Sequence, residues 1–160
     1  MTTQDLTAPT IARTARALIA RYREISASVG DAPGREGEWS VREIHSYVLG
    51  DAESRFIDGI RAGLERKDHI VIDEVGLSQM TPVRESMNAS DLAEAAANEL
   101  EELGDFVAGL GPDQLARTVK TPPLAEFLGI DRLTIAQWTN TLFEPHLASH
   151  IAQLEALRQA

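Results

Sequence analysis

Two histidines, His146 and His150, stand four residues apart near the end of the chain. On a helix this spacing stacks both imidazoles on one face, with Cβ atoms about 5–6 Å apart. A divalent cation can bridge such a pair, and zinc, nickel and iron all accept neutral imidazole. Ser149 and Gln153 share the face, which continues the apolar stripe of Trp138, Leu142 and Leu157. Polar side chains that extend a core-facing row suggest an internal polar cavity. The plainer reading is two core-edge histidines hydrogen-bonded to neighbours, and the residue pattern leaves both open.

Pro145 immediately precedes the pair. Inside a helix it removes the amide that would bond the Thr141 carbonyl, at a cost of about 3 kcal/mol. Either the helix kinks there and aims the histidines, or two shorter helices meet at Glu144. A local rule broken beside a polar cluster is where functional sites tend to fall.

The elements that must position these residues are helical. Apolar residues at Ile11, Ala15, Leu18, Tyr22, Ile25 and Val29 alternate by four and three, giving one stripe between Pro9 and Gly30. Ser40 with Glu43 forms a capping box and opens a second helix predicted to run to about Lys67. Its inward row is Val41, Ile44, Val48, Ala52, Phe56, Ile60 and Leu64, with Gly59 and Gly63 weakening its second half. Residues 68–89 lack helical period and form a long connection, in which His69 to Ile72 has some strand character. A third helix starts near Ser90, carries Leu92, Ala96, Leu100, Leu103, Val107 and Leu110, and stops at Gly111-Pro112. A short helix over 113–119 follows. A second capping box, Thr134 with Gln137, opens the fourth helix, which continues to Ala160.

Four long helices without convincing strands predict an all-α four-helix bundle, with 1–160 as a single domain and a long connection between helices two and three. The expected core is Ile11, Leu18, Tyr22, Ile44, Val48, Phe56, Leu100, Leu103, Val107, Leu142 and Leu157. Fifteen basic against twenty-five acidic side chains give a net charge of −10, which argues against a nucleic-acid partner. No apolar run is long enough for a membrane span, and Met1 to Leu6 lacks the parts of a signal peptide. There is no cysteine, hence no disulfide, thiolate nucleophile or cysteine zinc site. These features read as a cytoplasmic protein.

Three segments in order and spacing resemble the DinB-like superfamily of damage-inducible four-helix bundles, which includes bacillithiol and mycothiol transferases. They are Trp39-Ser40-Val41-Arg42-Glu43-Ile44, Leu133-Thr134-Ile135-Ala136-Gln137-Trp138, and the histidine-rich stretch from His146 to Leu154. The resemblance covers essentially the whole chain. It implies a metal held by one histidine from helix two and a pair from helix four, and a homodimer. His146 and His150 match the pair. The helix-two ligand would lie eight residues after the tryptophan, where this chain has Tyr47. His45 is about 200° away around a helix, and its place between Val41 and Val48 suits a packed, hydrogen-bonded histidine. Asp51, one turn after Tyr47, shares its face and offers an oxygen ligand. His69 has no partner at ligand spacing and reads as a solvated loop residue.

Two functions follow. One is a metal-dependent transferase or hydrolase acting on a small molecule, with His146 and His150 as ligands. Tyr47 or Asp51 then completes the shell or carries a proton. The other is a non-catalytic bundle that binds a small molecule or a partner and has lost the metal. The resemblance implies divalent metal (zinc, nickel or iron) bound weakly or not at all, because the normal triad is incomplete.

Overall fold

A computed structural model describes residues 6–51, 53, 55–66, 78–121 and 129–159. Helix α1 spans Ala8–Val29; Thr7 caps it by accepting from the Thr10 amide, and Pro9 occupies its first turn. Helix α2 spans Val41–Leu49, and both halves of the Ser40–Glu43 capping box are formed. Helix α3 is Phe56–Glu65, α4 is Pro82–Ser86, and α5 is Ala89–Ala108 with Asn88 as its cap. A short helix α6, Pro112–Leu115, leads to strands β1, Thr118–Lys120, and β2, Arg132–Thr134. The Thr134–Gln137 capping box opens α7, Ile135–Thr141, which passes through the wide turns of Leu142–Leu147 into α8, Ala148–Gln159.

The bundle closes as a ring. Helix α1 packs on α5 and α8, and α2 packs on the same two from the other side. Its centre holds Ile11, Tyr22, Ile44, Val48, Leu100, Leu103, Val107 and Leu142, all buried. Leu18, Phe56 and Leu157 are only partly buried against this core, and Ile19 takes the inward place on α1 beside Leu18. No helix among the described residues is long and apolar enough to cross a membrane.

Four expectations need correction. The predicted second helix is two helices, because α2 ends at Gly50, whose φ of 85° lies in the left-handed region that favours glycine. The Gly50 amide there closes on the Ser46 and Tyr47 carbonyls. Second, the short helix over 113–119 stops at Leu115, and Val119 belongs to a strand. Third, the chain has a two-stranded antiparallel sheet that pairs Thr118 with Thr134, Val119 with Leu133 and Lys120 with Arg132. Strands of three residues are too short to carry a period, yet Val119 and Leu133 turn inward and are buried. Fourth, the connection between the second and third predicted helices contains α4. Ala52, Lys67, His69 and the strand character of 69–72 lie outside the described residues.

Glycine serves packing in α3. A Cβ on Gly59 would meet the Trp138 ring at 2.8 Å, and one on Gly63 would meet Val119 Cγ1 at 2.7 Å. Their absence lets α3 lie close on α7 and the small sheet.

Candidate functional site

The final helix breaks where the sequence is irregular. Glu144 has non-helical φ of −130° and ψ of 110°, and the Glu144–Pro145 peptide is cis. Two helical pieces therefore meet at Glu144, and His146 and His150 open the second. The imidazoles stand edge to face with ring centroids 4.8 Å apart.

Tyr47, in the last turn of α2, meets both. Its ring centroid lies 5.2 Å from that of His146 and 5.0 Å from that of His150, each in an edge-on arrangement. Trp39 completes the group, 5.0 Å from Tyr47 and nearly parallel to His150 at 6.5 Å. It directly precedes the Ser40 cap, the position from which an apolar residue packs on the first turns of a helix. These four rings, together with Arg35, Gly37, Glu38, Ile44, Ser149, Gln153, Ala156 and Leu157, line a cavity of about 650 Å³. The loop before α2 supplies Arg35, Gly37, Glu38 and Trp39. It is tied at its ends by the bond from the Val41 amide to the Ala32 carbonyl and turns back through the bond from Glu38 N to Arg35 O.

A hydrogen bond fixes the His150 imidazole. Gln153 Oε1 accepts from His150 Nδ1 at 2.6 Å, so Nε2 keeps its lone pair. A neutral acceptor on one nitrogen that leaves the other as a donor atom is the usual outer-shell arrangement of a metal-binding histidine. Both rings are held neutral. Burial first, and then the neighbouring His150, pushes the His146 pKa down to about 4, the Leu142 backbone opposing the shift. Burial also lowers that of His150, with Gln153 partly offsetting it.

Of the residues singled out from sequence, Tyr47, His146 and His150 come together here. Asp51 does not. With α2 ended at Gly50, it is exposed beyond the helix and its Oδ1 accepts from the Glu53 amide at 2.9 Å. It is not among the residues lining the cavity. His45 points into the core between α1 and α2, fully buried, with its Nδ1 2.5 Å from the Tyr22 hydroxyl. Among the described residues no group of three or more His, Cys, Asp or Glu is placed to hold a metal ion. The described residues of the cavity therefore offer a cation two imidazoles, His146 and His150, with the Tyr47 ring packed against both. In the sequence Trp39 reads as part of a motif, whereas the structure makes it a wall of the site; its place just before the helix cap is the signal for that role.

No family model matches the chain, and no curated protein is similar to it in sequence. Among solved structures it is similar to YfiT from Bacillus subtilis, described as a probable metal-dependent hydrolase with an unusual four-helix bundle topology. The likeness has a TM-score of 0.65 at 14% identity and covers 91% of this chain and 86% of that one. The chain therefore has a four-helix-bundle fold like that of YfiT.

Proposed function

We propose that the cavity between α2 and α8 is a metal-dependent site for hydrolysis of, or group transfer to, a small molecule, with His146 and His150 as the metal ligands. One observation carries this reading: two neutral imidazoles, with ring centroids 4.8 Å apart and His150 tied to Gln153, face Tyr47 inside a cavity large enough for a small molecule. A bound divalent cation would supply a Lewis acid that activates water or a small thiol. The chain's own residues do the rest. Gln153 holds the His150 ring in orientation. Trp39 and Ile44 wall the cavity with apolar surface and restrict water. Tyr47 sets its ring against both imidazoles, and its hydroxyl is the group available to accept or give a proton to a bound molecule.

Tyr47 also favours a second reading, in which the same cavity binds a small molecule without catalysis. A phenol in the third position is a hydrogen-bonding group at neutral pH, whereas imidazole there would be a ligand. Zinc and nickel titration by calorimetry separates the two. The metal-dependent reading expects one cation per chain, lost in His146→Ala and in His150→Ala. Wild-type protein that binds neither metal at millimolar concentration leaves the non-catalytic reading.

A further inference from the structure

Arg84 is a buried cation far from the charge pattern of the surface. It sits on α4, in the connection between α3 and α5, and is only 6% exposed. Its Nη1 donates to the Ser46 carbonyl, the Ser46 hydroxyl and the Gln79 carbonyl, each at 3.1 Å. All three acceptors are neutral oxygens. Burial lowers its pKa, and Asp51 opposes the shift through its charge. An apolar side chain of similar length would fill this place without the cost of desolvating a charge.

The cation serves a particular end of the fold. Ser46 is in the C-terminal turn of α2, where carbonyls carry partial negative charge, and its carbonyl accepts from both the Gly50 amide and Arg84. Arg42, on α2, returns the contact. Its Nη2 donates to the Arg84 carbonyl at 3.3 Å, the Met87 carbonyl at 2.5 Å and the Glu85 carbonyl, around the C-terminal end of α4. Each of the two short helices thus lends an arginine to the other's C-terminus. Helix α2 has nine residues, too few to be stable alone. Tyr47 follows Ser46 directly, so the turn that Arg84 holds is the turn that sets the Tyr47 ring against the two imidazoles.

We infer that Arg84 is a positioning residue for the cavity. By fixing the last turn of α2 through Ser46, it sets where Tyr47 stands relative to His146 and His150. The placement holds whatever the cavity binds; its effect on metal rests on the function proposed above.

Wild type, Arg84→Met and Arg84→Lys decide it with two readouts. The first is the set of nuclear Overhauser contacts between the Tyr47 ring and the two imidazoles. The second is zinc affinity by calorimetry. Arg84→Met is expected to lose the ring contacts and to bind zinc about tenfold more weakly, while amide protection in α1 and α5 persists. Arg84→Lys, which keeps the charge and a donor, should recover most of both. If Arg84→Met does not fold, Ser46→Ala replaces it, and loss of the ring contacts there supports the same role. Unchanged ring contacts in the folded variant overturn the inference, as does a loss of protection spread evenly over the bundle. Wild type that fails to bind zinc, while Arg84→Met still loses the contacts, removes the metal reading and leaves the positioning role standing.

Discussion

Tyr47 and His150 meet edge to face with ring centroids 5.0 Å apart, although they are far apart in the sequence. The contact joins the helix opened by the Ser40 capping box to the helix that follows Pro145. It also sets a limit on metal binding. A tyrosine ligand must lose its proton, and from an ordinary phenol pKa near 10 that costs about 4 kcal/mol at pH 7, at 1.36 kcal/mol per unit. Tyr47→His removes this cost. It should tighten zinc binding by up to about a thousandfold, measured by competition with a chelating dye. Equal affinity in wild type and Tyr47→His would mean that position 47 is not directed at the cation.

The buried pair on the other side of α2 predicts a pH response. Burial pushes the His45 pKa down to about 4, against 6.5 for the free side chain. Between these values the unfolded chain binds a proton that the folded chain refuses. Stability is therefore full above about pH 6.5 and falls as the pH drops toward 4, by up to about 3 kcal/mol for this group. His146, lowered to about 4 as well, adds to the same slope. Urea unfolding at pH 7.5 and 4.5 should show a smaller loss in His45→Gln than in wild type. An identical loss in both proteins would assign the acid sensitivity elsewhere.

Helix glycines usually weaken a helix, yet in α3 they are required. An exposed Gly→Ala change in a helix gains about 1 kcal/mol. At Gly63 the new Cβ would stand 2.7 Å from Val119 Cγ1 and 3.0 Å from Ile135 Cδ1, and both neighbours are fully buried. Overpacking of this kind costs about 1–3 kcal/mol. Gly63→Ala should therefore lower the melting temperature, and a rise would show that α3 has room to move off the sheet.

Much of this fold was legible in the chain because its signals are local. The spacing of threes and fours and the two capping boxes located α1, α2, α5 and α7, and both boxes are formed. The break at Gly50 was hidden because Val48, Ala52, Phe56 and Ile60 continue at intervals of four as though the helix went on. The β1–β2 pair was hidden because each strand is three residues long and its partner lies more than ten residues away. In the site, the histidine spacing pointed to His146 and His150, and counting from Trp39 pointed to Tyr47. Arg84 could not be found this way, since nothing in a loop arginine's sequence position says that it will be buried against a helix end.

The same break decides the last prediction, which concerns Asp51. Its candidacy as an oxygen ligand depended on one turn of helix carrying it from the phase of Tyr47. Gly50 interrupts that turn, and the carboxylate instead accepts the Glu53 amide in solvent. Asp51→Ala should leave zinc affinity within about twofold of wild type, since 1.36 kcal/mol would be needed for a tenfold change. It should act on Arg84 instead, because Asp51 is the carboxylate that opposes the effect of burial on that guanidinium. A small fall in melting temperature is expected from thermal unfolding, since the Asp51 charge acts on Arg84 from an exposed position. If Asp51→Ala abolished zinc binding while leaving the melting temperature unchanged, α2 would have to extend through Gly50 when metal is bound. The phase read from the sequence would then be the functional one.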